Sequence, residues 1–220
     1  MIHILYTKFT GILPDNIWGN YLTVLPKSFQ YQNQRYKYWE DRTRHLLGKI
    51  LLVKAFQMYG LGHHSLHEIK YNEYGKPFIS DKMDFNISHS GQYVVCAIGT
   101  ETNVGIDIEQ INDIRLDDFH NTMTGSQWEV IHGAENAFNE FFRFWAMKES
   151  IMKAIGTGLS IAPRDIVIEQ NAAEIGGSKW YLKELEIDHN YPAYVASNVE
   201  NESLEIHDFI PATRILDIEF

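Results

Sequence analysis

Three carboxylates occupy positions where they could share a cation. Asp107 and Glu109 lie in Val104-Gly105-Ile106-Asp107-Ile108-Glu109. Glu149 lies forty residues on, in Trp145-Ala146-Met147-Lys148-Glu149-Ser150-Ile151-Met152-Lys153-Ala154. The first segment alternates apolar and polar residues as a half-buried strand does. Asp107 and Glu109 then share a face, with Cα atoms about 6.5–7 Å apart. Gly105 beside them lets another element approach the backbone closely. The second segment is helical: Phe138, Phe142, Trp145, Glu149 and Met152 follow one face. An acid on that aromatic stripe needs a partner. Oxygen donors without His or Cys suit Mg²⁺, which keeps part of its water and binds substrate phosphates. Two plainer readings stand beside this one. Lys153, one turn after Glu149, offers a simple salt bridge. Asp107 and Glu109 could line a solvated strand face, with Ile106 and Ile108 buried on the other.

Two polar segments precede the acids. Gly75-Lys76-Pro77 forms a turn, and Asn86-Ile87-Ser88-His89-Ser90-Gly91 ends a strand in a polar corner. Both carry donors suited to phosphate. His63, His64 and His67 fall in a surface loop without further ligands and are expected to face solvent. Cys96, the single cysteine, sits in an apolar run and reads as a buried structural thiol. No disulfide can form within the chain, which fits a cytoplasmic protein.

The elements that must position these residues follow from periodicity and punctuation. A first strand covers Met1–Tyr6. A long helix is expected from Gln34 to Tyr59, and a second from near Glu135 to Ile155, ending at Gly156 and Gly158. Tyr93–Ile98 and Asn103–Ile108 read as a hairpin across Gly99–Thr102. Residues 110–134 are loop and short helix. Ile166–Glu169, Trp180–Ile187, Tyr194–Asn198 and Leu204–Ile210 read as strands, with a turn at Gly176-Gly177. Lys49, Lys54 and Ala55 recur as Lys148, Lys153 and Ala154 at an offset of 99, and Ala97 and Ala196 share it. The expected fold is α+β: a pseudo-dimer of two similar halves, 1–102 and 103–220. Each half is a long helix on a small antiparallel sheet, and the site lies in the cleft between them.

Composition bounds the function. With 220 residues, 45% hydrophobic and 22% charged, the chain is an ordinary globular protein. No apolar run approaches the roughly 18 residues of a membrane span, and the N-terminus has no signal-peptide pattern. A net charge of −10 argues against general nucleic-acid binding. Residues 1–100 nevertheless carry eleven Lys and Arg against seven Asp and Glu, whereas residues 101–220 carry eight against twenty-two. A basic half that holds an anionic ligand and an acidic half that holds a metal would explain the imbalance; a solvated acidic surface is the plainer account.

The motifs GKPFI, FNISHSG, VGIDIE and WAMKESIMKAIGTGLS occur in this order. From about Glu40 to Ser160 the chain resembles the 4′-phosphopantetheinyl transferases of the surfactin-synthetase-activating (Sfp) type. The resemblance implies a monomeric, cytoplasmic, Mg²⁺-dependent enzyme. It would move the phosphopantetheine arm of coenzyme A onto a serine of an apo acyl or peptidyl carrier protein and release 3′,5′-ADP. It implies Asp107, Glu109 and Glu149 as metal ligands, and Glu149 and Lys153 as catalytic groups. Arg44, Lys76, Pro77, Ser88, His89 and Lys153 would contact coenzyme A; all but Lys153 lie in residues 1–102, the expected coenzyme side. Two departures stand out. The lysine- and arginine-dense stretch usual before the first helix is reduced here to Lys27 and Arg35, and an often acidic position is Gln127, to which no metal or base role is given. Two rival activities use the same residues: an Mg²⁺-dependent coenzyme A pyrophosphohydrolase, and a coenzyme-A-binding module without catalysis.

Overall fold

The computed structural model describes residues 1–80 and 82–211. Two four-stranded sheets form the centre. The first contains β1 (Ile2–Lys8), β4 (Met83–Ser90), β5 (Tyr93–Thr100) and β10 (Leu204–Asp208), in the order β10-β1-β5-β4. The second contains β6 (Val104–Ile108), β7 (Ala172–Ile175), β8 (Ser178–Glu184) and β9 (Ala193–Ser197), in the order β6-β9-β8-β7. A small hairpin, β2 (Lys70–Tyr71) and β3 (Pro77–Phe78), stands apart from both.

Strand alternation sorts the apolar residues into layers. Leu5, Val94, Cys96 and Ile98 face helix α3 (Trp39–Met58), whose Leu46, Leu47, Ile50, Leu51 and Phe56 are fully buried. Ile2, Ile4, Val95 and Ala97 face the other way and meet Ile106, Ile108 and Val195 of the second sheet. Beyond that sheet, Leu182, Tyr194 and Ala196 pack on helix α5 (Ala137–Ile155) through Met147, Ile151 and Met152. The layers run helix, sheet, sheet, helix, an α+β architecture. Helix α3 is also covered by α1 (Asp15–Val24) and α2 (Lys27–Arg35). That cover explains why α3 is apolar on more than one face.

Helix α5 begins and ends on local signals. The Asn136 side chain accepts from Asn139 N at 3.0 Å, and Gly156 ends the helix in the left-handed region at φ 74°. Between the sheets and α5, helix α4 (Gly125–Gly133) starts on a capping box. Thr124 accepts from Gln127 N, and the Gln127 side chain returns to Thr124 N.

Several expectations are corrected. Tyr93–Ile98 and Asn103–Ile108 do not form a hairpin: β5 pairs with β1 and β4, and β6 pairs with β9. Both strands turn apolar faces into the layer between the sheets, so they stack rather than pair, and the chain changes layer at Glu101, φ 56°. The helix expected over Gln34–Tyr59 is α3, which starts only at Trp39; Gln34 and Arg35 instead end α2. The chain is extended at Tyr36, and buried Asn33 donates to Arg42 O at 2.8 Å, pinning the break. Ile166–Glu169 is loop, because Ile166 O accepts from Lys148 Nζ at 2.9 Å and Gln127 Nε2 at 3.3 Å rather than from a strand. The first sheet is mixed, since β10 runs parallel to β1 and brings the late chain back to the early one. The offset of 99 carries no structural equivalence in the strands: Ala97 faces the second sheet, whereas Ala196 faces its own helix.

Candidate active site

The edge strands β4 and β6 run side by side, joined by side chains instead of a backbone ladder. In β6 the amides of residues 105, 107 and 109 point toward β9, which leaves the even-numbered ones facing β4. Asp84 Oδ2 accepts from Val104 N at 2.8 Å, Asn86 Oδ1 from Ile106 N at 3.2 Å and Ser90 Oγ from Gln110 N at 3.0 Å. A period-2 row of polar side chains on β4 thus satisfies the free edge of β6. Ser88 completes the row, and its hydroxyl donates to Asp107 Oδ1 at 2.8 Å.

Asp107 is 2% exposed. Its Oδ1 also accepts from Lys153 Nζ at 2.5 Å, and Lys153 donates to Ser88 Oγ at 3.0 Å. The helix reaches the strand closely because Gly105 lacks a side chain: a Cβ there would lie 2.1 Å from Ser150 O and 2.3 Å from Ala154 N. Glu109 shares the face of Asp107, accepting from Ser90 Oγ at 3.0 Å and Trp145 Nε1 at 3.2 Å. Glu149 has no hydrogen-bond partner among the described residues. The plain Glu149–Lys153 salt bridge is absent there, because Lys153 is turned onto Asp107. The face bearing the acids is enclosed between β4 and α5 rather than solvated.

Three acids with one lysine leave negative charge uncompensated. Burial raises the pKa of Asp107, with Lys153 opposing. Glu109 is pushed up to about 7 by burial and by the charge of Asp107. Burial also raises Glu149. Asp107 Oδ2 is buried without a hydrogen-bond partner among the described residues. An orphaned carboxylate oxygen beside two further acids, with oxygen donors only, fits a hard divalent cation. The three carboxylates do not bring one oxygen each within 4.8 Å of one another; among the described residues that spacing is met at another place.

The remaining expected residues divide between two cavities on either side of β4. One, about 260 Å³, is lined by Lys76, Pro77, Asn86, Glu149, Met152 and Lys153. Lys76 lies across Gly156, and its Nζ donates to Asp84 Oδ2 at 2.5 Å and Ala154 O at 2.9 Å. The turn before it is built by Asn72 Oδ1, which accepts from the amides of Tyr74 and Lys76, with Gly75 at φ 86°. The second cavity, about 230 Å³, is lined by Arg44, His45, Lys49 and His89. Ser88 and His89 are neighbours in sequence and therefore point to opposite sides. Arg44 is oriented by Gly91 O at 2.9 Å and Asp41 at 2.7 Å. Desolvation and the Arg44 guanidinium hold His89 below the ordinary imidazole pKa.

Asp84, Asn86, Ser90 and Trp145 also build the site. The alternation of Asp84-Asn86-Ser88-Ser90 was the available signal for three of them. Gln127 is structural, as its capping box and bond to Ile166 O show. Cys96 is fully buried with its thiol pushed up to about 12 by burial, in keeping with a structural role. His64 and His67 are exposed, and His63 is partly covered.

His45 supports a pH prediction. Burial, helped by the Lys49 and His89 charges, lowers its pKa from 6.5 to about 4. The unfolded chain therefore binds the extra proton first, and stability that is complete above about pH 6.5 is lost as pH falls toward 4. Between pH 7.5 and 4.5 this group alone costs on the order of 2 kcal/mol, solvent screening of the partly exposed ring included. Urea denaturation of wild type and His45→Gln at both pH values checks it: the variant loses less stability by about that amount. Equal losses would show that His45 does not titrate this way.

Both halves of the chain match known proteins. The model of the 4′-phosphopantetheinyl transferase superfamily matches residues 103–197, and that of the 4′-phosphopantetheinyl transferase N-terminal region matches residues 14–101. The chain is 33% identical over 177 residues to the 4′-phosphopantetheinyl transferase gsp of Aneurinibacillus migulanus, covering 79% of this chain and 74% of that one. It is 31% identical over 176 residues to the 4′-phosphopantetheinyl transferase Sfp of Bacillus subtilis, covering 74% and 78%. It is 30% identical over 171 residues to the L-aminoadipate-semialdehyde dehydrogenase-phosphopantetheinyl transferase of Pongo abelii, covering 63% and 55%. An α+β protein with this acid-and-lysine site and these relatives is an enzyme of the transferase class. The chain belongs to the 4′-phosphopantetheinyl transferase family.

Proposed function

We propose that the protein transfers the 4′-phosphopantetheine arm of coenzyme A to a serine of an apo acyl or peptidyl carrier protein, leaving 3′,5′-ADP. The observation that carries this reading is the enclosed group Asp107, Glu109, Glu149 and Lys153, with a buried, unpartnered carboxylate oxygen beside a cavity. Asp107, Glu109 and Glu149 would hold Mg²⁺, which when bound neutralises pyrophosphate charge. The carrier hydroxyl attacks the phosphorus that bears the pantetheine arm. The phosphoanhydride bond breaks, and its electron pair leaves with the ADP oxygen. Glu149 accepts the serine proton, because its carboxylate is free of hydrogen bonds and lines the cavity. Lys153 offers its ammonium to the phosphoryl oxygens once it shifts from Asp107.

The two cavities flank one strand, which suits a long ligand with charge at one end. Arg44, His89 and Lys49 favour the phosphate-bearing adenosine end, and Lys76 and Pro77 line the other cavity. We read the chain as duplicated halves, 1–102 and 103–220, with β10 returned to the first sheet. The first half supplies three strands of one sheet and helix α3, and the second supplies the other four-stranded sheet, β10 and helix α5. We also expect a cytoplasmic monomer. Among the described residues, no helix is long and apolar enough to cross a membrane.

Incubation with coenzyme A, Mg²⁺ and several apo-carriers, followed by intact mass, tests the function. The expected result is a carrier heavier by one phosphopantetheine and an equal amount of 3′,5′-ADP. Phosphopantetheine released without a carrier would favour the pyrophosphohydrolase. Coenzyme binding without turnover would favour the module. For the base, Glu149→Gln is expected to bind coenzyme A while transferring about 10²–10⁴ times more slowly. A variant at full rate would sink that role.

A further inference from the structure

Away from the acids, His3, Glu205 and His207 gather where β10 lies on β1. His3 stands opposite Glu205 in the parallel register, and His207 follows two residues later on the same face. Their donor atoms converge: His3 Nδ1 is 3.2 Å from His207 Nε2 and 3.3 Å from Glu205 Oε2, and His207 Nε2 is 3.8 Å from the same oxygen. Tetrahedral zinc, with bonds of about 2.0–2.2 Å, holds its ligand atoms roughly 3.3–3.5 Å apart. Three corners of such a tetrahedron are therefore already approximated. The Tyr59 ring stands edge-on to the His3 ring at 5.6 Å and limits its rotation. The side of His207 and Glu205 stays open, with side chains 36% and 51% exposed. An ion can enter there and keep water at its fourth position.

We propose that His3, Glu205 and His207 form a second metal site, for Zn²⁺ or a similar nitrogen-seeking divalent ion, that latches β10 onto β1. Two imidazoles and one carboxylate discriminate against Mg²⁺, whereas the active-site acids offer oxygen alone. The two sites of one chain thus differ in ligand chemistry. Among the described residues, β10 is the edge strand of its sheet and pairs only with β1. The latch joins residues 204 positions apart, where closing a long loop removes most entropy from the unfolded chain. The ion would act on folding stability and leave phosphopantetheine transfer to the acids.

The test uses the full chain, stripped by chelation and kept in saturating Mg²⁺. Zn²⁺ is titrated against a chromophoric competitor, with thermal melting in parallel. One Zn²⁺ per chain is expected to bind at about micromolar strength or tighter, raising Tm by about 5 °C at a hundredfold excess over Kd. His3→Ala and His207→Ala each weaken binding at least about tenfold and cut the Tm rise to about half or less, while Mg²⁺-dependent transfer without zinc stays unchanged. Absence of binding at about 100 μM Zn²⁺ would overturn the proposal, leaving an imidazole–carboxylate hydrogen-bond group. Binding that survives the double variant, or that Asp107→Asn removes instead, would overturn it equally.

Discussion

Asp107→Asn is expected to lower phosphopantetheine transfer by at least about a hundredfold without lowering Tm. The substitution keeps the side chain's size but removes its charge. Asp107 is the most enclosed of the three acids, and it alone touches both Ser88 and Lys153. Its other oxygen has no hydrogen-bond partner among the described residues, so no bond there is lost on substitution. Burying a carboxylate is unfavourable, as its raised pKa reflects, so the amide should be tolerated or mildly stabilising. Lys153 is 28% exposed and can be rehydrated when its partner disappears. Loss of rate with stability kept is the behaviour of a group retained for function. Steady-state transfer to a carrier, beside a thermal melt of each protein, checks it. A variant that melts early and transfers at a normal rate per folded molecule would show Asp107 to be a structural acid.

Gly105→Ala is expected to destabilise the protein by about 3 kcal/mol or more, beyond what one methyl normally costs. The added carbon would sit 2.1 Å from Ser150 O and 2.3 Å from Ala154 N, both backbone atoms of α5. Neither can rotate away, so the helix itself must move off β6. That movement separates Lys153 from Asp107, and residual activity per folded molecule should fall as well. Gly125→Ala is the control: a Cβ at Gly125 meets nothing within 4 Å, and its effect should stay within about 0.5 kcal/mol. Urea denaturation of the three proteins measures the difference. Equal stability of Gly105→Ala and wild type would mean that the strand and helix approach less closely than the geometry shows.

Much of the site was legible in the residues. Alternation through Val104–Glu109 placed Asp107 and Glu109 on one face and Ile106 and Ile108 on the other, and the fold keeps both assignments. The run to Gly156 located the end of α5, since a glycine at positive φ is a local signal. Gly105 announced a close approach but not its partner. The hairpin expected between β5 and β6 failed because a short turn looks alike whether the next strand pairs or crosses to another layer. The break at Tyr36 was hidden for a similar reason: Asn33 pins it by bonding Arg42 and His45, a tertiary arrangement rather than a local breaker.

The sequence by itself determined what each strand and helix presents on each face, because alternation and helical period are properties of the local backbone. That was enough to name the acids, the lysine and the polar row before them. Only the tertiary structure decided which faces meet. Lys153 turns to Asp107 rather than to Glu149, His89 lines a cavity while Ser88 turns onto Asp107, and His3 meets His207 across nearly the whole chain. Those pairings depend on edge-to-edge contact of β4 with β6 and on β10 returning to β1. Contacts of that kind are chosen by how layers bury their apolar faces together, a choice no short segment encodes.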